Sequence, residues 1–405
     1  MLRILALFML AIHAQAGPSV DAYLTEVSQL TTSHRQQVAR LAVPANASAD
    51  ALVSGGRFHL SSDDNQAWFY EGLGRAGGVM QTEEFNGNTI IRAGDVVWIS
   101  YTAASYQKTV EVNNRLTPQK VVVVAFGPQP PSGPPPFTYW VDSLTSWTAD
   151  DPMVLFGNVL SLWTMEGELA AATARRGKSL VFWQSIAVPG GPDRNAHYTG
   201  QLFHDGLPQM QAVNAGTLSG AYLDTVCTSF GQILQGELPQ IAAAGQKVAQ
   251  RAAAGNRPVL VVSSHLLPFI RLESSTLFEY IADPAQLDAA IARSGLLVDM
   301  GYSGLDLELW RKVRLANASA VWVTGELPNQ ADFSGGSDIL INQHWQLGDA
   351  SVVAPGYDVR LLPVSGLAQL FIYELLVKAA AEPQVPSLSE QSLGLFRCIG
   401  RAPRR

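Results

Sequence analysis

The run Val121-Val122-Val123-Val124-Ala125-Phe126 constrains this chain more than any other stretch. Six consecutive apolar residues, four of them β-branched, offer no polar face to solvent, so a strand built from them must be covered on both sides. A largely parallel sheet between two helical layers provides that cover. The rest of the chain has the same rhythm, with strands expected at residues 57–60, 95–100, 179–186, 258–263, 296–300 and 320–324. Helical spacing runs over 20–42, 66–75, 107–116, 159–175, 217–237, 241–254 and 306–315. Pro44 is expected to separate the first of these from a short second helix ending at Ser54. Six prolines between Gly127 and Phe137 predict an extended loop there.

The order of elements after Gly255 repeats the order before it, which is what a duplicated domain predicts. The chain has 405 residues, well beyond the ~100–200 of one domain. With 47% hydrophobic and 15% charged residues, each half can fill its own core. The expected division is a leader at 1–16, a first domain at 17–215, a second at 216–385 and a tail at 386–405. The fold class is α/β, as two similar three-layer α/β/α domains with mostly parallel sheets.

The leader carries Arg3, an apolar run from Ile4 to Ile12, and Ala14-Gln15-Ala16, the small-x-small pattern of a signal peptidase site. Cleavage there leaves Gly17 as the mature N-terminus and an exported protein, periplasmic or secreted. Nine apolar residues fall short of the ~20 needed to span a bilayer as a helix, and no span is expected in the mature chain. A formal charge of −7 without a basic block excludes nucleic acid as a partner, and Arg404-Arg405 is too short to alter that. Of the two cysteines, Cys227 reads as a buried thiol in a helix and Cys398 as incidental, with pairing left open. No paired-Cys or HExxH motif is present, so no metal is expected, and no cofactor. Neither a G-x-S-x-G elbow nor a G-x-G-x-x-G loop after a strand is found.

Gly301-Tyr302-Ser303-Gly304-Leu305 lies between a strand and a helix, where backbone N–H groups and a hydroxyl converge on an anion. Together with Ala320-Val321-Trp322-Val323-Thr324 it resembles the core of the SIS (sugar isomerase) domain. Gly94 to Thr102 occupies the same place in the first half, with Ala103-Ala104-Ser105 replacing the centre of the family's Ser-rich loop. Gly55-Gly56-Arg57, then Glu71 through Arg75-Ala76-Gly77-Gly78, resembles a phosphosugar-binding subgroup of that family. Ser263-Ser264-His265, the segment from Asp338 to His344, Gly348-Asp349-Ala350 and Pro363-Val364-Ser365-Gly366 resemble it in the second half.

The resemblance implies a carbohydrate or sugar-phosphate ligand, with a homodimer open. It implies ligand contacts at Ser100, Thr102, Ser105, Ser263, Ser264, Ser303 and Gly304. A carboxylate and an imidazole that move a proton between sugar carbons would come from Glu71, His265 and His344. Glu71 also stands four residues before Arg75, the spacing of a helical ion pair. Three function classes stay open: a sugar-binding protein without catalysis, an aldose–ketose isomerase, and a structural or interaction protein. Trp98, Trp183 and Trp322 lie in expected strands and are assigned to the core.

Overall fold

The computed structural model describes residues 20–61, 66–148, 151–262, 276–281, 283–302, 304–325, 337–346 and 348–382. The first half contains α1 (Val20–Val53), β1 (Phe58–Ser61), α2 (Gln66–Gly72), β2 (Glu83–Phe85), β3 (Val96–Ser100) and α3 (Tyr106–Leu116). It continues through β4 (Val122–Gly127), β5 (Tyr139–Asp142), α4 (Pro152–Arg175) and α5 (Gly191–Tyr198). After α6 (Thr217–Gly236) and α7 (Leu238–Ala253) come β6 (Val259–Val262), β7 (Glu279–Tyr280), α8 (Leu287–Ser294) and β8 (Leu296–Met300). The remainder is α9 (Leu307–Leu315), β9 (Ser319–Thr324), β10 (Ile339–Asn342), β11 (Ala350–Val353), β12 (Arg360–Pro363) and α10 (Ser365–Ala381).

Two five-stranded sheets share one topology. The first has the order β2-β1-β3-β4-β5 and the second β7-β6-β8-β9-β10, and every neighbouring pair in both is parallel. The predicted α/β class with parallel sheets is therefore what the chain adopts. Strand reversal beside β1 in one sheet and β6 in the other creates a switch point at each set of strand carboxyl ends, the place where open α/β sheets present loops to ligands.

Alternation along the strands sorts the core into layers. Phe58, Leu60, Trp98 and Phe126 of the first sheet share one cluster with Leu260, Val298, Met300 and Val323 of the second, and with α1, α4, α6, α7 and α10 between them. Val97, Ile99 and Val123 face the other way onto α3, while Leu297, Ala320 and Trp322 face α8 and α9. Helix α4 is buried from Met153 through Ala174, its many apolar residues enclosing a few polar ones such as Asn158, Glu166 and Glu168.

Four expectations need correction. Helix α1 runs unbroken through Pro44. An interior proline costs ~3 kcal/mol through a lost hydrogen bond and a clash with the preceding turn, but Leu41, Ala45, Ala49 and Leu52 continue the buried stripe begun by Tyr23, Val27 and Leu30, and that packing keeps the helix continuous. Residues 179–186 make only single bridges, Leu180 with Phe203 and Phe182 with Val79, although Leu180, Val181 and Phe182 are fully buried. Trp183 is half-buried outside any strand, whereas Trp98 and Trp322 are core. Cys227 is not a free thiol but is disulfide-bonded; Cys398 lies outside the described residues.

Candidate functional site

Helix α6 has two faces. Leu218, Tyr222, Val226, Phe230 and Ile233 are buried in the core, and Thr225, Thr228, Ser229 and Gln232, at helical spacing, line a groove of about 280 Å³. The opposite wall is made by residues 344–346 and 349–351, with Arg360 and Val364. Hydroxyls, carboxamides, an indole, an imidazole and a guanidinium thus converge on one space.

The turn after β10 builds that wall. His344 has φ +51°, and its N–H donates to Asn342 Oδ1 at 2.7 Å, an Asx-type turn that tolerates the left-handed backbone. His344 Nε2 lies 2.9 Å from Glu237 Oε1, while Glu237 Oε2 accepts the Asn342 N–H at 3.2 Å. Glu237, at the corner between α6 and α7, therefore fixes both the turn and the imidazole. Trp345 is oriented by its indole N–H, which donates to Gln343 Oε1 at 2.8 Å, and its ring packs against Tyr302 with centroids 4.6 Å apart. A side chain at Gly325 would collide with that indole.

Behind the groove lies a buried charge network. Asp349 Oδ1 accepts from the N–H groups of Val364 and Ser365 at 3.0 and 2.8 Å, placing a carboxylate at the start of α10 where the helix dipole favours it. Its Oδ2 accepts from Ser365 Oγ at 2.8 Å and from Arg75 Nη2 at 2.6 Å. Arg75 Nη1 donates to Glu71, whose other oxygen accepts the Trp163 indole N–H at 3.1 Å. Gly366 is required here, because a Cβ would run into the Glu71 carboxylate. Burial pushes the Glu71 carboxyl up to about 7; the Asp349 charge adds to this, and Arg75 and the Trp163 hydrogen bond oppose it. Glu166, which accepts the Val79 N–H at 2.8 Å, is raised to about 8 by burial.

No family model matches the chain, and no curated protein does. Among solved structures it is similar to the C-terminal domain of glucosamine-fructose-6-phosphate aminotransferase from Francisella tularensis, at 8% identity and a TM-score of 0.45, covering 87% of this chain and 95% of that one. A provisionally assigned sugar binding protein from Salmonella typhimurium aligns at 12% identity and a TM-score of 0.48, over 88% of this chain and 98% of that one. A provisionally assigned phosphosugar isomerase from Silicibacter pomeroyi aligns at 9% and 0.44, over 88% and 96%. The fold stands on the strand pairing described above, not on these likenesses.

The residues singled out in the sequence separate into groups. Ser263, Ser264, His265 and Ser303 lie outside the described residues. His344 lines the groove. Glu71 does not; it is buried behind Arg75, 2% exposed. Ser100 ends β3 and is buried, its hydroxyl without a partner among the described residues. The loop after it closes on itself, since the Thr102 N–H donates to Ser105 Oγ at 3.0 Å and the Ala104 N–H to Thr102 Oγ1 at 3.3 Å. Tyr101, Tyr106, Phe137 and Trp147 pack beside that loop in tilted and edge-on pairs with centroids 5.1–6.4 Å apart. Gly304 has φ +66° and its carbonyl accepts from Thr324 Oγ1 at 3.1 Å.

Glu237, Arg360 and the hydroxyl stripe of α6 were missed. The stripe's signal was present as Thr225, Thr228 and Gln232 at three-and-four spacing, opposite the apolar positions of the same helix.

Proposed function

We propose that this chain is an exported carbohydrate-binding protein of the SIS type, holding its ligand in the groove between α6 and residues 344–346 and 349–351. The observation that carries this is the lining of the groove: hydroxyls from Thr225, Thr228, Ser229 and Ser351 beside Trp345 and Arg360. Sugars are bound by such groups, which match hydroxyls by hydrogen bonding and ring faces by an indole. Arg360 donates to the Ser351 carbonyl at 3.1 Å and has no acidic partner among the described residues, so its remaining donors suit a phosphate or carboxylate substituent. Two features support export: the N-terminal leader pattern and the disulfide at Cys227, since structural disulfides persist in oxidising compartments. Among the described residues no helix is long and apolar enough to cross a membrane.

Titration calorimetry of the mature protein with hexoses, hexose phosphates and uronic acids tests this; the absence of heat from every member rejects it. His344 favours a second reading. It lines the groove with its imidazole paired to Glu237, an arrangement able to accept and return a proton. Interconversion of an aldose and a ketose phosphate, followed by NMR, would replace the non-catalytic reading with an isomerase.

A further inference from the structure

Two Asn-x-Ser sequons, with x other than Pro, occur in the sequence: Asn46-Ala47-Ser48 and Asn317-Ala318-Ser319. This is the acceptor pattern for N-linked glycan transfer, which serves surface positions of chains that enter a secretory lumen. The fold treats the two copies in opposite ways. Asn46 sits inside α1, half-buried, with its Oδ1 accepting from Arg176 Nη1 at 3.1 Å and its own carbonyl from Arg176 Nη2 at 3.2 Å. Ser48 is fully buried and accepts the Trp98 indole N–H at 3.3 Å. A glycan on Asn46 would have to displace that packing.

Asn317 lies in the turn between α9 and β9, exposed, with φ +50°, and its carboxamide makes no hydrogen bond among the described residues. Its backbone N–H donates to the Arg314 carbonyl at 3.1 Å, so the turn is formed without the side chain. The turn precedes β9, at the amino end of the second sheet. His344 and the groove follow β10, which runs parallel to β9, and so lie at the carboxyl end. A glycan on Asn317 would leave both the fold and the groove free.

We propose that Asn317 is an N-glycosylation acceptor and that Asn46 is not. In the transfer, Asn317 Nδ2 bonds to the anomeric carbon of an oligosaccharide carried on a polyprenyl diphosphate. The carbon–oxygen bond to the diphosphate breaks, the diphosphate leaves with the electron pair, and the amide loses one proton. The proposal rests on the export reading above.

The full-length chain, with its own leader, is produced in a eukaryotic secretory cell and treated with peptide N-glycosidase in ¹⁸O water. Peptide mass spectrometry should find Asn317 converted to labelled Asp and Asn46 unconverted. Asn317→Gln should abolish the glycosidase-sensitive mobility shift, and Asn46→Gln should keep it. Unmodified Asn317 in secreted protein that begins at Gly17 overturns the site and leaves export standing. Unmodified Asn317 in cytosolic protein that retains Met1 overturns both. Labelled Asp at position 46 overturns the distinction drawn from the fold.

Discussion

Arg75 Nη2 and Asp349 Oδ2 lie 2.6 Å apart, both side chains fully buried, although 274 positions separate them in the chain. The contact joins the loop after α2 to the wall of the groove. Arg75 is also the cation bonded to Glu71, so one guanidinium serves two buried carboxyls. Removing it leaves uncompensated charge in the core. Arg75→Met should therefore destabilise the protein by about 3–5 kcal/mol, read from the midpoint of urea unfolding. Glu71→Gln should cost clearly less, because burial already pushes that carboxyl towards its neutral form. Equal losses from both variants would show that the network does not act through the guanidinium.

Glu166 gives the fold a pH dependence of definite sign. Its folded pKa of about 8 stands above the ordinary 4.5, so the folded state holds a proton that the unfolded chain releases. The stability this contributes is complete below pH 4.5 and is lost as pH rises through 8, by up to about 5 kcal/mol. Glu166→Gln keeps an acceptor for the Val79 N–H and removes the ionisation. Its melting temperature should match the parent near pH 4.5 and exceed it increasingly towards pH 9. A constant offset across that range would show that Glu166 does not titrate in this window.

His34 acts at the other end of the scale. It is fully buried, with Nδ1 2.9 Å from the Leu30 carbonyl and Nε2 2.9 Å from Ser161 Oγ, and burial lowers it from 6.5 to about 4. The folded state holds the ring neutral where the unfolded chain takes up a proton. Stability is thus lost as pH falls from 6.5 towards 4, by about 3 kcal/mol. His34→Gln should flatten the acid limb of the stability profile while leaving the alkaline limb unchanged; an unaltered acid limb would assign it to other groups.

Much of the fold was legible because its strands are covered on both faces. Residues 96–99 are a continuous apolar run and 296–300 is one broken only by the buried Asp299, and the observed strands start and stop within a residue of the expected bounds. Short edge strands such as Glu83–Phe85 and Tyr139–Asp142 were not legible, since they are fixed by pairing with β1 and β4 and have little pattern of their own. Helix α10 escaped notice because nearly every residue from Ser365 to Ala380 is buried, which leaves no polar stripe to mark a period. The site was legible in pieces. Glu71, Arg75, His344, Asp349 and Ser365 all lie in segments that stood out in the sequence, yet their assembly depends on contacts across more than 270 positions. No local pattern encodes such contacts.

The groove makes a prediction that separates charge from shape. Arg360→Gln should weaken binding of a phosphorylated or uronic sugar about tenfold or more, the loss expected for one charge-assisted hydrogen bond. Binding of the corresponding neutral sugar should be nearly unchanged. Trp345→Ala should weaken both alike, because the indole shapes the groove wall through Tyr302 and Gln343 whatever substituent the sugar carries. Calorimetry on the two variants with a matched pair of ligands decides this, and an equal effect of Arg360→Gln on both ligands would remove Arg360 from anion recognition.

The disulfide at Cys227 makes the last prediction. Cys227 sits on α6, the helix that supplies the hydroxyl stripe, and is itself nearly buried at 9% exposure. The sequence holds only two cysteines, so an intramolecular bridge can form only with Cys398. Such a bridge closes a loop well over 100 residues long, and constraining that loop in the unfolded chain is worth about 2–5 kcal/mol. Non-reducing peptide mapping of the native protein should therefore find residues 227 and 398 in one linked pair. Cys227→Ser should lower the melting temperature to the value of the reduced parent. Because the groove hydroxyls project from a different face of α6, sugar affinity at 25 °C should persist in the reduced protein. A disulfide-linked dimer on a non-reducing gel would instead assign the bridge to two chains and abolish the predicted gain from loop closure.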